Sequence, residues 1–115
     1  MKIIRVSATS RSSAVAGAIA GMVREHQRAE VQSIGAAAVN QAIKAVILAT
    51  GYLKMDGIHV YFVPEFTEVI IENNSRTAIK LVVEPLHLSI PPAEAPQLTS
   101  QVLPPQVNVD SGVIG

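Results

Sequence analysis

The 115-residue chain contains no cysteine. Disulfides, thiolate metal sites and cysteine nucleophiles are therefore excluded, and the composition fits a reducing compartment. Aromatic residues are scarce at 3%, so Ala, Val, Ile and Leu must fill the core that 49% hydrophobic residues can build. The N-terminal MKIIRVSATS lacks an apolar stretch of signal-peptide length, and no segment reads as a membrane span. We expect a cytoplasmic protein of one domain, without a membrane partner. Phosphate-loop and dinucleotide fingerprints are absent, and no serine sits in a nucleophile elbow. His26, His59 and His87 fall in a helix end, a strand and the C-terminal segment, without metal-ligand spacing. These absences point away from an enzyme and imply no catalytic residue, metal, cofactor or small-molecule substrate.

Basic residues are missing from the whole segment after Lys80. The formal net charge is zero, but residues 1–54 carry seven Lys and Arg against two acids, and residues 55–84 carry two against five. Residues 85–115 hold only Glu94 and Asp110 as charged groups. A neutral total thus conceals a basic N-terminal half, which permits an anionic partner without demanding one.

Periodicity organises the rest. KIIRVS, residues 2–7, is short and β-branched and reads as a strand. Ser12 or Ser13 suits a helix N-cap, and Val15, Ile19, Met22 and Val23 follow at helical spacing toward Arg28. AEVQSI, residues 29–34, is a second strand closed by Gly35. Residues 36–50 form the strongest helical pattern, with a stripe of Val39, Ile43, Val46 and Ile47 and Gly51 as its expected C-terminal stop. Residues 58–63 read as a strand, with Pro64 marking an edge, a bulge or the end of pairing. Residues 69–72 resume the extended pattern, Asn73-Asn74-Ser75 turns, and residues 76–84 make the last strand. The order β-α-β-α-β-β predicts an α+β two-layer sandwich with both helices on one face of a small mixed sheet. Residues 86–115 read as a Pro-rich extended tail with strand-like pieces at Gln97–Leu103 and Gln106–Val109.

Three places could meet an anion. Ser10, Arg11 and Ser12 lie in a strand-to-helix loop, where free backbone N–H groups and the helix dipole favour phosphate. The plain alternative is an N-cap beside an exposed arginine. Asn40 and Lys44 are four apart on the second helix and share a face, which is either its wet side or a phosphate and sugar contact. The last hairpin carries Asn74 and Arg76 near its tip and could enter a nucleic-acid groove, although Glu68 and Glu72 oppose a phosphate backbone. Of the four aromatics, Tyr52, Tyr61, Phe62 and Phe66, two or three are expected in the core or an interface. Gly17 and Gly21, spaced as GxxxG, suggest close packing of the first helix.

The runs KIIRVSATSRSSAVAGAIAGMVRE, AEVQSIGAAAVNQAIKAVILATGYL, VPEFTEV and RTAIKLVVEP, in that order, resemble the stage V sporulation protein S family across about Lys2 to Pro85. The resemblance implies an Alba-like domain at residues 1–85, self-association as a dimer or higher oligomer, and DNA or RNA binding of low sequence specificity. It also implies a regulatory role linked to sporulation or development. Carried onto this sequence, its nucleic-acid surface comprises Ser10, Arg11, Ser12, Asn40, Lys44, Asn74 and Arg76. Two departures stand out: one arginine among serines where Alba proteins usually place lysines, and the tail after Pro85. The competing expectation is an assembly module whose tail ties subunits together or recruits a partner; a sensor of a phosphorylated small molecule ranks below both.

Overall fold

The computed structural model describes residues 2–87; the expected tail strands at 97–103 and 106–109 lie outside them. The elements are β1 (Ile3–Val6), α1 (Ser12–His26), β2 (Ala29–Ser33), α2 (Ala36–Lys54), β3 (Val60–Ile71) and β4 (Asn74–Pro85). This is the β-α-β-α-β-β order read from the periodicity. The sheet runs β1-β2-β4-β3. β1 and β2 are parallel, joined by α1, while β4 pairs antiparallel with both β2 and β3. The crossover through α2 leaves a gap one strand wide, which β4 fills by the hairpin return.

The core lies on one face of the sheet. Val6 on β1, Ala29 and Val31 on β2, and Leu81 and Val83 on β4 form one buried cluster with Ala16, Ile19, Ala20 and Val23 of α1. The same cluster takes Ala42, Ala45, Val46, Ala49 and Leu53 from α2, so both helices cover this face. Close approach of α1 and α2 is made by alanines, whose small side chains fit between neighbouring helices. Gly17 and Gly21 do not serve that purpose: a Cβ at either would meet nothing within 4 Å. They sit off the packed face, where GxxxG spacing has no partner among the described residues.

The helices differ from their sequence reading in instructive ways. Arg11, not Ser12 or Ser13, occupies the N-cap of α1, and no side chain caps it. Ser10 turns back instead, its Oγ accepting from the Ser7 N–H at 2.9 Å. Gln27 ends α1 with φ 62°, its N–H bonded to the Val23 carbonyl at 2.9 Å. α2 runs through Gly51 to Lys54 because Leu53, fully buried, anchors another turn. The stop falls at Gly57, with φ 75°, after Asp56 and Gly57 donate to the carbonyls of Leu53 and Lys54. At 19 residues and mean hydropathy 1.2, α2 reaches the length and apolarity of a membrane span, which a 15-residue helix did not. Its buried face is the alanine one; Val39 and Ile43 are half-buried and Ile47 is 63% exposed. The expected stripe is therefore only partly a core stripe.

β3 is a single strand passing through Pro64, which its position at the sheet edge allows. The hairpin turn is one residue earlier than expected. Ile71 pairs with Asn74, leaving Glu72 (φ 49°) and Asn73 (φ 67°) as a two-residue loop with both φ positive. β2 pairs with β4 only from Ile79 to Val83. Beyond that point the hairpin, Thr67–Ala78, continues as a two-stranded arm without β2 beside it.

Candidate nucleic-acid interface

The loop before α1 is a tight polar turn. Ser10 N–H donates to the Ser7 carbonyl at 3.1 Å, and the Ser7 hydroxyl lies 3.2 Å from those of both Thr9 and Ser10. The hydroxyls are thus occupied with one another. The first-turn N–H groups of α1 have no side-chain cap and are left to solvent or an anion. Arg11 is exposed at this point.

α2 is tied to this loop by a residue the sequence placed outside the site. Gln41 donates from Nε2 to the Ser10 carbonyl at 2.8 Å, and Lys44 Nζ donates to Gln41 Oε1 at 3.3 Å. Ser10, Arg11, Ser12 and Lys44 therefore belong to one patch, joined through Gln41. Asn40 is exposed on the same helix face as Lys44 but also lines an apolar recess with Val39, Ile43 and Ile79. That face is less polar than expected, because Ile47 lies seven residues from Asn40 and shares it. Asn74 and Arg76 are exposed on the arm, away from Gln41 and its contacts. Arg76 pairs with Val69 and Asn74 with Ile71 across the hairpin, so these four side chains share one face.

Ion pairing sorts the cations. Arg24 bonds Asp56 at 2.8 Å. Arg28 bonds Glu30 at 2.8 Å and Glu84 at 2.6 Å, and Lys80 lies 3.8 Å from Glu30 and 3.6 Å from Glu65. The Arg28 guanidinium holds the Glu30 carboxyl below its ordinary range. The Tyr61 hydroxyl, with Arg28 behind it, does the same to Glu84, while the Tyr61 phenol is pushed up. This network neutralises charge on the sheet face opposite the helices. Among the described residues, Lys2, Arg5, Arg11, Lys44, Lys54 and Arg76 have no ion-pair partner. Three of the expected contacts, Arg11, Lys44 and Arg76, are in that set. Arg5, which the sequence did not single out, is a fourth. Its alternation with Ile4 and Val6 already turned it away from the core; what it borders was not visible.

The acids of the arm are also ordered. Glu68 accepts from Ser75 at 2.6 Å and Thr77 at 3.0 Å, which lowers its pKa and keeps it ionised. It lies on the arm face opposite Arg76. None of the four aromatics is in the core: Tyr52 is 36%, Phe62 37%, Tyr61 42% and Phe66 79% exposed.

The match to known proteins covers this whole arrangement. Residues 2–86 match the family described as Stage V sporulation protein S (SpoVS). The chain belongs to the stage V sporulation protein S family. Membership points to a small regulatory protein of sporulation, and it spans every element described above, the loop, both helices and the arm included.

Proposed function

We propose that this member of the family is a non-enzymatic regulator that binds nucleic acid through phosphates, with low sequence specificity, as an oligomer. The observation that carries the proposal is the Ser10–Gln41–Lys44 chain of hydrogen bonds. It holds two cations without acidic partners among the described residues, Arg11 and Lys44, beside the uncapped start of α1, whereas Arg24, Arg28 and Lys80 are neutralised elsewhere. Backbone N–H groups, serine hydroxyls and point charges contact phosphates and carry no base code, hence the low specificity. Asn40, Asn74 and Arg76 extend the surface along α2 and the arm.

Association has its own support. Ile47, Leu48 and Tyr52 on α2, Met55 just past its end, and Phe62, Phe66 and Ile70 on β3, are exposed large apolar residues. Such surface on a chain of this size favours a second copy of itself. The same surface favours the assembly-module reading, in which association is the function and phosphate contact is incidental. A salt titration of binding to duplex DNA, single-stranded DNA and RNA, with solution mass measured in parallel, separates the two. Affinity falling linearly in log salt supports the phosphate surface. A defined oligomer with no binding at low salt overturns it in favour of assembly.

A further inference from the structure

A further recess lies outside the patch built on Gln41. It is a cleft of about 610 Å³ between the carboxyl ends of β1 and β2 and the arm. One wall is the carboxyl ends of β1 and β2, with Arg5, Ser7, Gln32 and Ser33; the other is the arm, with Val69 and Ile71. Arg5 pairs with Gln32 across β1 and β2 and shares its face. No lining residue is acidic, and Arg5 has no ion-pair partner among the described residues. Ser33 alternates with Gln32 and turns to the core side with Ala29 and Val31, where its buried Oγ has no hydrogen-bond partner among the described residues. Buried hydroxyls are ordinarily satisfied. Ser7 begins the loop that carries Ser10 and Arg11, so cleft and patch adjoin.

We propose that this cleft takes one unstacked nucleotide, and that the protein consequently prefers single-stranded nucleic acid to a continuous duplex. The proposal rests on the nucleic-acid reading above and deepens it. Arg5 meets a phosphate; Val69 and Ile71 offer the base an apolar wall; Gln32 supplies neutral hydrogen-bonding groups at its edge. A recess of this volume falls in the ~300–1,000 Å³ range of ligand pockets. A base still paired and stacked in a duplex cannot enter it, whereas a splayed one can. The arm is suited to one strand on one side. Its cleft face carries Arg76 and Asn74, and its reverse face carries the ionised Glu68. An arm inserted into a duplex groove would set Glu68 against a second phosphate backbone.

The test uses the full chain and a mixed-sequence oligonucleotide, offered as a single strand and as a duplex at the same salt. A 2-aminopurine near its centre reports unstacking. Tighter binding of the single strand, with 2-aminopurine emission rising on binding, is expected. Arg5→Ala should lower single-strand affinity about tenfold, the worth of one charge-assisted contact, with duplex affinity within about twofold. Val69→Ser should abolish the emission change. Both sites are outside the core cluster, and unchanged circular dichroism checks the fold. Lys44→Ala should weaken both forms alike. Equal affinity for the two forms, or an Arg5→Ala loss shared by both, overturns the cleft and leaves the phosphate surface standing. Binding of neither form overturns both.

Discussion

Lys44→Ala isolates one contact of the proposed surface. The side chain is exposed, has no ion-pair partner among the described residues, and makes a single 3.3 Å hydrogen bond to Gln41. Its removal leaves the Gln41–Ser10 bond in place, so the loop keeps its position. With Arg11, Lys44 and Arg76 each meeting one duplex phosphate, log affinity should fall against log salt with a slope of about −2.7 per chain. Between 50 and 200 mM salt that is about a 40-fold loss. The variant should show a slope of about −1.8 and about a 12-fold loss, with the same decrement on every duplex sequence tried. Fluorescence anisotropy of a labelled duplex over four or five salt concentrations measures both. A slope equal to the wild type's, or equal affinity at the lowest salt, refutes Lys44 as a phosphate contact. A decrement that varies with sequence refutes low specificity instead.

Further outcomes follow from other parts of the molecule. Phe66→Arg, at a side chain 79% exposed on β3, should reduce the solution mass toward a monomer without changing the circular dichroism; an unchanged mass would exclude that residue from the self-association surface. Gly51→Ala should stabilise the protein by about 0.5–1 kcal/mol, since Gly51 is helical and an added Cβ meets nothing within 4 Å. A lowered urea midpoint would mean that this face of α2 is covered. Glu30 and Glu84 have folded-state pKa values below the ordinary 4.5, so the stability they contribute is complete above that pH and is lost as pH falls through the depressed values. Glu84→Gln should therefore lose less stability than the wild type between pH 5 and pH 3, measured by urea unfolding; parallel curves would refute the role of the network.

Much of the fold was legible because its determinants are local. The period-2 run KIIRVS, the 3.6-period runs of both helices and the position of Gly35 locate elements without reference to anything distant. Errors arose where a distant partner decided. Gly51 reads as a helix stop, yet packing of Leu53 outweighs a glycine cost of roughly 1 kcal/mol. The hairpin turn shifted by one residue because the Ile71–Asn74 pair sets the register. Of the α2 stripe Val39, Ile43, Val46 and Ile47, only Val46 is fully buried, since the helix pair packs on the alanine face that permits close approach.

The candidate site divides along the same line. Ser10, Arg11, Ser12 and Lys44 stand out in the sequence because polar groups at a helix start and at i, i+4 spacing are local patterns. That they form one patch depends on Gln41, which belongs to the polar strip of α2 in the sequence but whose bond to a carbonyl 31 residues away is set by the fold. By itself the sequence determined the order of elements, the absence of thiol chemistry and the concentration of basic residues before Lys80. Only the tertiary structure decided which of those cations are paired, since Arg24, Arg28 and Lys80 find acids through the folded chain and, among the described residues, Arg5, Arg11, Lys44 and Arg76 do not. Charge is a property of a residue, but its availability depends on which groups the fold brings within a few ångströms.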